Sequence, residues 1–149
     1  MTNYTLKVGL KKTIKSKRGS MPRPKSYQKL KRDLDQIFSL FIRHRNSKGE
    51  YNQCFTCAGW YLIKDLQCGH YVSRTYIGTR WDEKNCQPQC KSCNLFHQGR
   101  ADEFALALIR IYGPKVLDEL AWKKKGGKLS GKELELLTAD YENKLKHLN

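Results

Sequence analysis

Acidic side chains are absent from the first 32 residues; Asp33 is the first. Over all 149 residues, 29 Lys and Arg face 14 Asp and Glu, a formal net charge of +15 with a pI near 9.7. A surface with so few acids repels itself unless it meets a polyanion, which points to nucleic acid; a merely soluble basic protein is the plain alternative. Long apolar runs are missing too, since none approaches the roughly 20 residues a membrane span needs. The N-terminal segment is basic but has no apolar stretch leading to a small-residue cleavage site, so it is not read as a secretory signal. The expected location is therefore cytoplasmic, and the six cysteines are expected as metal thiolates, not disulfides.

The length suits one domain with a modest core. Residues 1–25 carry Gly19, Pro22 and Pro24 with little amphipathic period. They read as a flexible basic arm whose Lys11, Lys12, Lys15, Lys17 and Arg18 would track phosphates, or else as a solvated tail. Residues 26–149 read as a single domain of the α+β class: a helix over 26–46, a cysteine-rich centre over 54–99 and helices over 101–148. Ser26 caps the first helix, and Tyr27, Leu30, Leu34, Ile37, Phe38, Phe41 and Ile42 give it one apolar stripe. Two β-prone runs, Trp60–Ile63 and Leu66–Val72, are expected to pair as strands. Gly113-Pro114 ends a helix bearing Phe104, Ala105, Leu108, Ile109 and Tyr112, and Val116, Leu117 and Leu120 suggest a short one after it. Ser130 and Glu133 form a capping box for the last helix.

"CFTC" at 54–57 and "CKSC" at 90–93 are two equally spaced pairs. Two knuckles of this spacing can aim four sulfurs at one ion, so Cys54, Cys57, Cys90 and Cys93 are the expected ligands of a structural Zn²⁺ with no open position for substrate. Cys68 and Cys86 are left over and read as buried free thiols. A rival zinc set would recruit Cys68 and His70, or Cys86.

With zinc on four sulfurs, His70, Asn85 and Asn94 remain as a spaced set. Here the sequence resembles the HNH (ββα-metal) nucleases, in which a histidine ends a strand, an asparagine follows in a loop and a third His or Asn opens a helix. "CKSCN" puts Asn94 in that last place. A closer resemblance is to the phage NinG (Rap) recombination-protein family, carried by Gly69-His70-Tyr71, Arg80-Trp81-Asp82-Glu83-Lys84-Asn85, Gln89 to Asn94 and Gly99. It extends upstream to "FIRHR" (41–45) and downstream to "IYGPKVLDEL" and "YENKLKHL", covering roughly 26–148.

The resemblance implies a zinc-stabilised treble-clef or HNH ββα core flanked by helices, in a nuclease of host-cell cytoplasm that cuts branched DNA such as Holliday junctions and D-loops. It implies His70 as general base, Asn85 orienting its imidazole, and catalytic Mg²⁺ or Mn²⁺ held by Asn94, with His97 and Glu83 as further candidate ligands. Arg74, Arg80, Lys91 and Arg100 would touch phosphates near the site. Two departures stand out: Gly69 where many HNH enzymes carry an aspartate, and Gln67 where lambdoid relatives carry an acid. Asp65, Asp82 and Glu83 are possible substitutes. A homodimer suits resolution of a junction, as do recombination-protein partners, but no interface is legible. The competing functions are a non-catalytic zinc-containing treble-clef module binding DNA or RNA, and a protein-recruitment domain.

Overall fold

The computed structural model describes residues 24–148. The arm residues Lys11, Lys12, Lys15, Lys17 and Arg18 lie outside that range. Helix α1 (Tyr27–His44) starts where its cap dictates: Ser26 is extended and its hydroxyl accepts the Lys29 N–H at 3.3 Å, satisfying an amide that a helix start leaves unpaired. Leu30, Leu34, Phe38, Phe41 and Ile42 are buried. Tyr27, at the end of the same stripe, is 38% exposed among the described residues.

The partner of α1 is the last helix, α5 (Gly131–Lys146), in which both halves of the Ser130/Glu133 capping box are formed. Leu134 and Tyr141 of α5 pack into the α1 stripe with Trp81 and Cys86. The Tyr141 ring meets Phe38 edge-on at 4.8 Å between centroids and Phe41 at 5.1 Å. Side chains of this size each stabilise the fold by about 1.5–3 kcal/mol when buried, so this pair of helices is the main core.

Two antiparallel two-stranded sheets lie between these helices in sequence. β1 (Tyr51–Gln53) pairs with β2 (Trp60–Leu62), and β3 (Leu66–His70) pairs with β4 (Cys86–Cys90). This corrects the expected pairing of Trp60–Ile63 with Leu66–Val72. Ile63–Asp65 forms one 3-10 turn instead of a chain reversal, so β2 and β3 follow each other into different sheets. Buried Asn52 fixes the entry to β1, donating its amide to the carbonyls of Arg43 and Arg45 at 2.8 and 2.9 Å.

Between β3 and β4 lies the four-residue helix α2 (Ile77–Arg80), and a π-helical turn spans Ser92–Phe96. Helices α3 (Ala101–Tyr112) and α4 (Val116–Lys123) form a second core from Phe104, Leu108, Val116 and Leu120, with Phe55, Tyr71 and Val72 against them. Gly113, at φ 89°, ends α3 in a backbone region that L side chains rarely adopt. No helix among the described residues is long and apolar enough to cross a membrane.

Gly69 is required by close packing. A Cβ built there would lie 2.0 Å from Oε1 of Gln89, which is fully buried and donates to Thr56 and to the Gly99 carbonyl. An aspartate before His70 would therefore push the Gln89 side chain away from the place where it makes these two bonds.

Candidate functional site

The four knuckle cysteines come together. Their sulfurs all lie within 4.8 Å of one another, and Cys54, Cys90 and Cys93 are buried. The Cys90 N–H points to Cys54 Sγ at 3.3 Å and the Cys93 N–H to Cys90 Sγ at 3.5 Å. Burial alone would raise the Cys54 thiol, but donors from Cys57, Cys90 and Thr56 bring it down to about 6. Cys93 is pushed up to about 12 by burial, with the sulfurs of Cys90, Cys54 and Cys57 adding to the effect. One thiolate forms readily and the last resists, a conflict that a divalent cation removes. The donor set fits a structural zinc.

His70 is the last residue of β3 and is half-buried. Its Nε2–H donates to the Arg80 carbonyl at 3.0 Å, which leaves Nδ1 as the basic nitrogen. Burial lowers its pKa from the ordinary imidazole value, and the positive charges of Arg80 and Arg74 push the same way, against the carbonyls of Arg80 and Cys68. The shift favours the neutral ring, the form that can accept a proton. It lines a cavity of about 450 Å³ together with Asp35, Arg43, Gln67, Cys68, Arg74 and Asn94.

Asn85 is fully buried, and the hydrogen bonds of its amide go to groups other than the imidazole. Its Oδ1 accepts from Val72 N–H at 2.7 Å, and its Nδ2 donates to the carbonyls of Val72 and Thr79, each at 2.9 Å. It therefore clasps the 71–80 segment, and the ring is held by the carbonyl at the end of that segment. Asn85→Ala is expected to destabilise the fold by about 1–3 kcal/mol for each buried group left unpaired, measured as a lower denaturant midpoint. An unchanged midpoint would show the clasp to be dispensable.

Asn94 lies on the π-helical turn and donates Nδ2 to Gln67 Oε1 at 2.8 Å. The other two candidate ligands are elsewhere. His97 is exposed and does not line the cavity. Glu83 is turned toward α5, accepting from Tyr141 at 3.2 Å and pairing with Lys144 at 3.0 Å and Arg45 at 3.6 Å. Asp65 is exposed, and Asp82 pairs with Lys123 at 2.6 Å.

Among the expected phosphate contacts, Arg74 is exposed at the cavity rim and Lys91 is exposed. Arg80 is engaged by Asp35 through Nε at 2.9 Å and a terminal nitrogen at 2.6 Å, and Arg100 pairs with Glu103 at 2.7 Å. Two cavity residues were given no role from the sequence. Asp35 accepts from the Arg80 guanidinium and from the Trp81 indole at 3.0 Å, and so anchors Arg80, whose carbonyl holds His70, and the residue after it. Arg43, bonded to the carbonyls of Ser39 and Ile63, brings a second cation to the cavity. Both sit on α1, whose apolar stripe marks it as a core helix; only the "FIRHR" likeness signalled Arg43.

Cys68 and Cys86 are free thiols, the first half-buried and the second buried. Together with His70 they form another group whose ligand atoms lie within 4.8 Å of one another.

The sequence matches the family model described as Bacteriophage Lambda NinG protein over residues 8–149. The chain belongs to the NinG family. Its similar relatives include NinG of Salmonella phage P22, 30% identical over 127 residues, covering 85% of this chain and 60% of that protein. NinG of Escherichia phage 933W is 29% identical over the same length, and NinG of Escherichia phage lambda is 28% identical, with 59% of its length covered. The chain thus aligns with about 60% of the length of these NinG proteins. No solved structure matches this NinG-family chain.

Proposed function

We propose that this NinG-family chain is a structure-selective DNA endonuclease with an HNH-like, zinc-stabilised ββα centre, acting on branched recombination intermediates such as Holliday junctions and D-loops. The single observation that carries the reading is the His70 imidazole, fixed by the Arg80 carbonyl at 3.0 Å and lining a cavity it shares with Arg43, Arg74 and Asn94. Neither Arg43 nor Arg74 has an ion-pair partner among the described residues. Hydrolysis of a phosphodiester needs a base for water and positive charge near the phosphoryl oxygens. His70 Nδ1 takes the proton from the attacking water, while Arg43 and Arg74 hold the phosphate. Asp35 and Asn85 act through Arg80 and the 71–80 segment to keep the imidazole in place. The net charge of +15 supports a polyanionic substrate.

With the Asn94 amide turned so that its oxygen replaces the nitrogen that now donates to Gln67, the amide oxygens of Gln67 and Asn94 would hold a hard divalent cation, Mg²⁺ or Mn²⁺, with phosphate oxygens completing its shell. Such an ion supplies Lewis acidity at the scissile phosphate. Hard cations favour carboxylate oxygens, so Gln67→Glu is expected to lower the Mg²⁺ concentration for half-maximal cleavage several-fold. A higher or unchanged requirement would remove this pair from the ion's shell.

The direct test is incubation of nicked, linear, D-loop and four-way-junction DNA with the protein in Mg²⁺, Mn²⁺ or EDTA. Metal-dependent cutting of the branched forms supports the reading, and a homodimer in solution would explain paired incisions. Binding with no cutting of any form would favour the second reading, a non-catalytic treble-clef DNA- or RNA-binding module. That alternative draws on one specific observation: among the described residues, the only carboxylate lining the cavity, Asp35, is engaged by Arg80.

A further inference from the structure

We infer that Cys68, His70 and Cys86 form a second site for a soft divalent cation such as Zn²⁺, separate from the four-cysteine cluster, and that an ion there silences His70. The second half of this inference rests on the nuclease reading; the first does not. His70 stands opposite Cys86 in the β3–β4 register, and Cys68 precedes His70 by two residues. Side chains alternate along a strand, so all three emerge on the same face of the sheet, and their ligand atoms lie within 4.8 Å of one another. Zinc bound at a Zn–S distance of about 2.3 Å sets tetrahedral sulfurs about 3.8 Å apart, so the three donors need to close by up to roughly an ångström.

The donor chemistry selects the ion. Two sulfurs and an imidazole suit zinc and related soft cations, whereas magnesium and calcium take oxygen. Three protein ligands leave a fourth position open, and the cavity lined by Cys68 and His70 supplies both a route in and room for water or a small thiol there. A metal-binding histidine usually donates its other ring N–H to a carbonyl or carboxylate, the bond that His70 makes to Arg80. An ion held by the imidazole would engage the same ring that would accept the proton in cleavage, so ion and catalysis exclude each other. Cys86 lies in the helix core. Three donors, one of them an imidazole, hold an ion less tightly than four sulfurs, so this site fills after the four-sulfur cluster and empties before it.

The test counts metal on the reduced full-length protein. Wild type saturated with Co²⁺ or Zn²⁺ and then buffer-exchanged should retain two ions per chain, the second leaving first under a competing chelator. Cys68→Ser and Cys68→Ala should each retain one, with the four-sulfur cobalt absorption spectrum unchanged as the check on folding. One ion in the wild type, or two in both variants, would overturn the site. Cleavage is read separately, as the ratio of rates with and without zinc beyond the first equivalent. That ratio should fall at least tenfold in the wild type and stay near one in Cys68→Ser; equal inhibition of both would overturn the competition. Should the second ion bind while no DNA is cut, the site stands and the nuclease reading fails.

Discussion

His70→Ala is expected to slow cleavage of a four-way junction by about 10²–10⁴-fold, the usual contribution of a positioned general base. The loss should fall on the chemical step, because the ring contacts a carbonyl and a cavity, while the cations that would grip DNA come from Arg43 and Arg74. Binding measured in EDTA should accordingly stay within a few-fold of wild type. The half-buried ring makes one hydrogen bond and borders open space, so its removal leaves the α1–α5 core intact. A purified variant that cut at the wild-type rate, freed of contaminating nuclease, would dismiss His70 as the base. One that lost binding in proportion to cleavage would give it a structural role instead.

Cys90→Ser is expected to have the larger effect on the fold itself. Structural zinc in small domains binds with about 10–16 kcal/mol, against a typical folding free energy of about 5–15 kcal/mol. Cys90 is also the last residue of β4, and its N–H points to Cys54 Sγ. Removing this sulfur should abolish tight zinc retention and strip hydrogen-exchange protection from β3, β4 and the turn that carries Asn94. Chelation of the wild-type protein should reproduce that pattern. A serine variant with undiminished zinc content and an unchanged melting temperature would refute the four-thiolate site. The sign is set by the thiols: the Cys93 proton, held up to about 12 by burial and neighbouring sulfurs, leaves on metal binding, so acid should weaken retention.

Helix ends were legible because their signals are local. Ser26, Gly113-Pro114 and the Ser130/Glu133 box each act within one turn of backbone, and all three do so in the structure. Strand partners were not legible. β4 is Cys-Gln-Pro-Gln-Cys, without a β-branched or aromatic residue and with a proline at its centre. It pairs with β3 because the fold brings it there, not because its composition announces a strand. The knuckle cysteines declared themselves by their paired spacing. Glu83 fitted a motif along the chain, yet the contacts of Arg45, Tyr141 and Lys144 draw it toward α5. Asp35 could not have been singled out from α1 alone, since its role depends on Arg80, 45 residues later.

β4 is only five residues long, with Cys90 of the knuckle at one end and Cys86, opposite His70, at the other. Four residue steps separate those ends, about 13 Å at strand rise. A slip of one residue would turn Cys86 away from the imidazole and send Gln87 and Gln89 to the opposite side. The knuckle thus works as a clamp on a short ruler: while its sulfurs hold, the graduations beside His70 cannot slide, and loosening it would blur the distant mark first.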